Sequence, residues 1–171
     1  LSAGEDPVTT SVARQVYGHN AVLTNNNTMH YIGGLDCQNA DCSTTFPKAA
    51  RDGGLLISAR NFTRSQATIN TARAFHTSTL LPNGKILVAG GTSGPTVLAS
   101  GELFDPVLGT FANLSSTMKD VRSQHTASLL PNGRVLLAGG FSTNAVSTGS
   151  TNTAEIFFPE DNLFHPTSSM V

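Results

Sequence analysis

The chain has 171 residues, only 12% of them charged, and a formal net charge of −1 at neutral pH. This length suits one domain with a substantial core. The weak, balanced charge excludes a basic surface for nucleic acid, and no apolar run approaches the roughly 20 residues of a membrane span. Because the sequence begins with Leu1 and not Met, we expect a processed or partial chain.

Sequence repetition divides the chain into four parts: a leading segment, residues 1–16, and three units, residues 17–72, 73–121 and 122–171. Arg122 follows Arg73 by 49 residues (122 − 73). After each arginine the patterns Arg-x-x-His, Leu-Leu-Pro-Asn-Gly and Ala-Gly-Gly recur in the same order. A period near fifty residues predicts a stack of similar structural units.

The leading segment and the first unit are the more divergent copies. Val8 and Val12 stand in the repeat phase of later apolar positions, so we interpret residues 1–16 as containing the last strand of an earlier unit. The first unit keeps the histidine, His19, but has Val16 where the other units have arginine. Its start is therefore less sharply marked.

The second unit predicts four short strands, A to D, at residues 75–81, 85–89, 102–105 and 110–114. Asn83-Gly84 favours a tight hairpin between strands A and B. Strand B is apolar without alternation, which indicates a sheet covered on both faces. Radial stacking of such sheets buries both faces, so the sequence predicts an all-β propeller of four-stranded blades.

Several polar or glycine positions repeat in the same slot of each unit. The set comprises the glycine pairs Gly33-Gly34, Gly90-Gly91 and Gly139-Gly140, the histidines His19, His76 and His125, and Arg73, Arg122, Glu102 and Glu155. No helix pattern follows the glycine pairs, so we expect close backbone approach and unusual φ angles, not phosphate binding. Each histidine belongs to a different unit, so we expect each to bond groups of its own blade. The charged residues are interpreted as ion pairs or backbone-bonding groups that fix blade packing.

These motifs, with Glu102-Leu103-Phe104-Asp105-Pro106 and a downstream aromatic, resemble the kelch repeat. Phe62, Phe111 and Phe164 stand where that family usually carries tryptophan. The resemblance implies a propeller of about six or seven blades. The chain supplies three, so we expect a partial propeller, or one completed by further copies or by missing blades.

Two features indicate an extracellular glycoprotein. Cys37 and Cys42 lie close together in a polar stretch and are expected to form a local disulfide, which requires an oxidising compartment. Asn26, Asn61 and Asn113 each begin an Asn-x-Ser/Thr triplet, the acceptor for N-linked glycans. All three fall at accessible places in the predicted blades.

The connections between strands B and C vary in length and supply the candidate recognition surface, at residues 35–54, 92–100 and 141–153. Long, variable loops on a rigid scaffold often bind ligands. We therefore predict a module, without catalytic residues or cofactor, that binds protein or carbohydrate or assembles with itself. Tolerated insertions remain the alternative interpretation of these loops.

The resemblance also implies an enzymatic alternative, since galactose and glyoxal oxidases share kelch-type repeats. Those enzymes hold copper through tyrosines and histidines and carry a Tyr–Cys cross-link. This chain has two tyrosines, Tyr17 and Tyr31, both in the first unit, and its cysteines are better explained as a mutual pair. The alternative hypothesis is that this chain is a fragment of such an oxidase.

Overall fold

The computed structural model describes residues 15–37, 53–58, 61–144 and 147–170. The strands of these residues are, in chain order, β1 (Gln15–Tyr17), β2 (Asn20–Leu23), β3 (Thr28–Ile32), β4 (Leu35–Cys37), β5 (Gly53–Ser58), β6 (Asn61–Thr68), β7 (Thr77–Leu80), β8 (Ile86–Ala89), β9 (Thr92–Ser93), β10 (Thr96–Val97), β11 (Ser100–Asp105), β12 (Thr110–Thr117), β13 (Thr126–Leu129), β14 (Val135–Ala138), β15 (Phe141–Asn144), β16 (Ser147–Ser150), β17 (Ala154–Phe158) and β18 (Leu163–Pro166). This part of the chain contains no helix that could cross a membrane.

Three four-stranded antiparallel sheets form the framework, and we call them the first, second and third blades. Their strand orders are β2-β3-β5-β6, β7-β8-β11-β12 and β13-β14-β17-β18. Within each blade every strand pairs with the next one of that blade, so strands A to D run as a simple meander. The all-β fold of four-stranded kelch-type blades is thereby confirmed.

Short turns set the register of the A–B hairpins. In the second blade Gly84 has φ 81°, a value that favours glycine, and its N–H donates to the Leu81 carbonyl at 2.9 Å. The Asn83 side chain accepts from the Lys85 N–H at 3.0 Å, which closes the turn on its second side. The Asn-Gly prediction therefore describes the hairpin that forms.

Apolar side chains fill the two spaces between blades. The first and second blades enclose Val22, Ile32, Ile69, Ile86, Val88 and Phe104. The second and third enclose Leu81, Leu87, Ala89, Met118, Val135, Leu137, Phe157 and Phe164. Successive residues of β8 thus point to different neighbours, because side chains alternate across a strand. This explains why strand B is apolar throughout.

At positions where the kelch family usually carries tryptophan, this chain has phenylalanines that pair with phenylalanines of the adjacent strand. Phe111 lies opposite Phe104 with ring centroids 4.5 Å apart, and Phe164 lies opposite Phe157 at 5.1 Å. Both geometries are tilted, as quadrupolar rings prefer. Each pair anchors strand D to strand C.

Every strand of the second blade differs from its predicted bounds at one end or both: strand A ends at Leu80, strand B begins at Ile86 and strand C begins at Ser100. Strand A of the second blade begins at Thr77, not at residue 75, because Phe75 has φ 57° and cannot continue an extended strand. Strand D continues to Thr117, beyond residue 114. Its pairing with strand C is irregular, with a shift of register between Ser100 and Glu102 of strand C.

The B–C connections also differ from the expectation of open loops. Within the second blade's connection β9 pairs with β10, and within the third blade's connection β15 pairs with β16. In the first unit β4 pairs with β1, which precedes strand A. The same pairing recurs as single bridges between Ala74 and Thr92 and between Ser123 and Phe141.

Some predicted features fall outside the described residues. Val8, Val12 and Cys42 lie there, so the earlier-unit strand and the disulfide remain predictions. The backbone of Cys37 ends β4.

Candidate functional site

A buried ion pair stands at the start of each complete repeat. The Arg73 side chain is fully buried, and its Nη2 lies 2.8 Å from Oε1 of Glu102. Its Nη1 donates to the carbonyls of Gly90 and Ser100, both at 2.9 Å, and its Nε donates to Thr71 at 3.2 Å. Burial lowers the pKa of Arg73, while the Glu102 carboxylate opposes that shift. The guanidinium therefore ties strands B and C to the preceding link.

The paired glutamate also organises the link that enters its blade. Glu102 accepts from the backbone N–H groups of Asn70 at 2.8 Å and Thr71 at 2.9 Å. In the next repeat, Glu155 bonds Arg122 Nη2 at 3.0 Å and accepts from two backbone N–H groups, those of Lys119 and Asp120. A charged group with several hydrogen bonds can be buried without an unsatisfied charge.

The first glycine of each of the first two pairs allows neighbouring blades to approach closely. A Cβ on Gly33 would lie 2.4 Å from the Arg73 carbonyl oxygen, and one on Gly90 would lie 2.4 Å from that of Arg122. The same arginine carbonyl accepts the N–H of the second glycine, at 2.8 Å for Gly34. These glycines therefore lie at the points where the backbones of neighbouring blades come into contact.

His76 and His125 are buried where neighbouring blades meet, whereas His19 is exposed. His125 is buried, and its Nε2 lies 2.9 Å from the Thr77 hydroxyl of the preceding blade, whereas a partner within its own blade was expected. Burial, reinforced by Arg122, lowers the pKa of His125 to about 4. Burial, reinforced chiefly by Arg73, lowers the pKa of His76 to about 3. Both rings are therefore neutral near pH 7.

The described residues contain no group of three or more His, Cys, Asp or Glu side chains that could hold a metal ion. Tyr31 lies beside His19, with ring centroids 5.6 Å apart, while Tyr17 contacts Phe75 at 6.0 Å. The two tyrosines weighed for the oxidase alternative thus contact different partners in this part of the chain.

A different feature points to ligand binding: a shallow pocket where the second and third blades meet. Its volume is about 350 Å³, and its lining consists of Phe75, Thr92, Gly94, Pro95 and Gln124. The β9–β10 hairpin supplies the middle three of these residues. The pocket lies at the end of the blades that carries the B–C connections, which is the predicted recognition surface.

The pocket walls are held by backbone bonds between blades. Phe75 and Gln124 occupy one repeat slot, and both have positive φ, 57° and 53°. The Gln124 N–H donates to the Phe75 carbonyl at 2.9 Å, and the Phe75 N–H donates to the Gly18 carbonyl at 2.7 Å. Strained backbone of this kind persists where the surroundings fix it, and it is common at binding sites.

The equivalent space between the first and second blades is filled. Phe75 packs over Gly18, and a Cβ on that glycine would lie 2.9 Å from the ring. Leu35, in the slot of Thr92, is buried there with Ala74. These side chains fill the space that, at the second junction, is an open pocket.

Sequence reasoning found the loop containing this pocket but missed Phe75 and Gln124. The available signal was Gly18, which holds their slot in the first unit and suggests a position with positive φ. The middle residues of Arg-x-x-His looked like ordinary strand positions.

Comparison with known proteins agrees with these observations. Residues 73–118 match the family model for the Kelch motif. A search of curated proteins found no match. Kelch repeats generally mediate protein interactions. The motif match lies within the second unit, and together with the repeated Arg-x-x-His and Gly-Gly positions and the four-stranded blades it supports a kelch-repeat family for this chain.

Proposed function

We propose that this chain is an extracellular, non-catalytic interaction module that binds a protein segment in the pocket between its second and third blades. The supporting observation is the pocket bounded by Phe75, Gln124 and the β9–β10 hairpin. Buried Arg–Glu pairs beneath it hold the blades in fixed positions, so a ligand meets a preorganised surface.

The pocket lining indicates the class of ligand. None of its residues is charged, and it combines one aromatic ring with the hydroxyl of Thr92 and the amide of Gln124. An uncharged peptide segment fits this chemistry, with an apolar side chain on the Phe75 ring and backbone amides bonded to the glutamine. A sugar ring would have a single aromatic platform.

Selection from a random peptide library tests the proposal. We expect the purified chain to enrich uncharged sequences, and Gln124→Gly to reduce their affinity at least about tenfold. Glycine accepts the φ of 53° at this position, so the variant should fold. Val107→Ala, on the exposed C–D turn at the other end of the blade, is the matched control.

Two results would contradict the peptide proposal. The first is peptide binding that Gln124→Gly leaves unchanged. The second is binding on a glycan array together with no enrichment of any peptide.

Secretion and glycosylation are part of the same proposal. Asn26 and Asn113 are exposed, and Asn61 begins strand β6. The Oδ1 of Asn26 accepts from Thr24 and Thr28, and that of Asn113 accepts from Asn70. Their amide nitrogens, to which glycans attach, make no hydrogen bond within the described residues.

Expression through a eukaryotic secretory pathway tests this part. We expect a glycosidase-sensitive mass that falls stepwise in Asn26→Gln and Asn113→Gln. A chain secreted at its bare polypeptide mass would refute it. Cysteine alkylation before and after reduction would test the proposed Cys37–Cys42 bond.

The oxidase alternative makes a separate prediction. The native protein would then contain stoichiometric copper and show the absorption of a tyrosyl radical. A preparation from copper-supplemented culture that contains no copper supports the binding function.

A further inference from the structure

Strand β12 is the outer edge of the second blade. In the sheet order β12-β11-β8-β7, one side of β12 has no strand partner among the described residues. An edge strand presents N–H and C=O groups that can pair with another chain, and proteins usually protect such edges with charge, proline or short length. We propose that an N-linked glycan on Asn113 protects this edge, and that two copies of the chain pair through β12 when the glycan is absent. This inference rests on the glycosylation proposed above and gives that glycan a role.

The edge lies at the rim of the blade stack. The described blades pack through their faces, where the two apolar clusters lie. A further blade that packed in the same way would cover a face and leave the outer side of strand D open. The free side of β12 is therefore a property of the second blade itself.

The sequence of β12 carries none of the usual protection. Its eight residues, Thr-Phe-Ala-Asn-Leu-Ser-Ser-Thr, include no charged residue and no proline, and exposed positions occur along its whole length. Uncharged segments that contain threonine and aromatic residues and lack proline readily add a strand from another chain.

The outer strands of the other two blades differ in this respect. β18 has only four residues and ends with Pro166, which has no N–H to donate. β6 begins with the glycan acceptor Asn61 and also contains Arg64. In β12, by contrast, the glycan acceptor is the only one of these devices that the strand contains.

The position of Asn113 suits a protecting group. It is exposed, and it ends the regular part of the pairing with β11, residues 110–113. Its Oδ1 accepts from the Asn70 side chain at 3.1 Å, and the same Asn70 nitrogen lies 3.3 Å from the Phe111 carbonyl oxygen. These contacts leave the Asn113 amide nitrogen for the glycan. Because paired strands lie only about 4.8 Å apart, a branched glycan beside the regular edge excludes an added strand.

Removal of single glycan acceptors tests the proposal in chain secreted from eukaryotic cells. Ser115→Ala destroys the Asn113 triplet but keeps Asn113 and its bond to Asn70. Thr28→Ala is the matched control, because it destroys the triplet of Asn26 in the turn between β2 and β3. In sedimentation velocity, we expect Ser115→Ala to self-associate at a concentration at least about tenfold below that needed by wild type and Thr28→Ala.

A charge placed on the edge identifies the surface that associates. Ala112 is an exposed residue of β12. Ala112→Lys, added to Ser115→Ala, should restore the behaviour of the wild type, because two copies paired through β12 would bring like charges together.

Mass spectrometry of the peptide that contains Asn113 separates this inference from the glycosylation on which it rests. A glycosylated wild type whose Ser115→Ala variant associates no more strongly would overturn the protective role and leave the glycosylation intact. Association that Ala112→Lys does not weaken would place the contact elsewhere and would also overturn it. A secreted wild type that is bare at Asn113 would refute the glycosylation and the protective role together.

Discussion

The second and third blades have the same strand order, yet the described residues cover the second on both faces and the third on one. Every residue of β8 is buried, whereas β14 alternates between buried and half-buried residues. Their sequences, Ile-Leu-Val-Ala and Val-Leu-Leu-Ala, are almost equally apolar. Burial of a strand here is decided by the neighbouring sheet and not by the strand itself.

The largest expected effect concerns the junction that both blades share. Arg122→Met removes a fully buried guanidinium and leaves the Glu155 carboxylate, 1% exposed, without its charge partner. We expect the free energy of unfolding to fall by about 3–5 kcal/mol, measured by urea denaturation. A loss below about 1 kcal/mol would show that the two blades do not depend on this pair.

The comparison itself is tested by matched leucines in strand B. Leu87→Ala, at a 1% exposed position, should cost about 2–5 kcal/mol. Leu136→Ala, at the half-buried equivalent, should cost about 1 kcal/mol in dilute solution because less apolar area returns to water. Equal costs for the two variants in a monomeric sample would contradict the difference between the blades.

Three histidines, His30, His76 and His125, are buried and have a lowered pKa, so stability should depend on pH. The pKa of His76 is lowered to about 3 and that of His125 to about 4, both below the unfolded value near 6.5. The unfolded chain therefore binds more protons, so stability is complete above pH 6.5 and falls as the pH drops toward 4. The slope approaches about 1.4 kcal/mol per pH unit for each histidine.

Thermal unfolding at pH 7, 6 and 5 measures this slope. His125→Gln should flatten it, because the variant removes one of the groups whose pKa is lowered by burial. A melting temperature that does not fall between pH 7 and 5 would be inconsistent with buried neutral imidazoles.

The smallest effect is expected on the surface of the third blade. Arg134 lies 2.7 Å from Glu160 and 3.6 Å from the centroid of the Phe158 ring. Both charged partners are more than a third exposed, so Arg134→Ala should cost less than about 1 kcal/mol. A much larger loss would mean that this region is covered in solution.

Much of the framework could be predicted from local signals. Pro-Asn-Gly fixes the A–B hairpin, and the spacing from Arg-x-x-His to Gly-Gly marks where strands A and B lie. The hairpins inside the B–C connections could not be predicted in this way. β9 and β10 have two residues each, too few to show an alternating pattern.

From the sequence, the candidate pocket could be predicted only as part of a connection between strands B and C. Its two outer walls, Phe75 and Gln124, have positive φ that their residue types disfavour, so propensity argues against the conformation they adopt. The hydrogen bond between them spans two units, which no local pattern can reveal.

The sequence by itself determined the repeat, the four-stranded blade and the requirement that apolar strands be covered on both faces, because these follow from residue spacing and side-chain alternation. Only the tertiary structure decided which faces are covered, that His125 bonds a residue of the preceding blade, and that a pocket forms at one junction while Phe75 fills the other. Those outcomes depend on contacts between residues about fifty positions apart, where volume and backbone geometry must match in space.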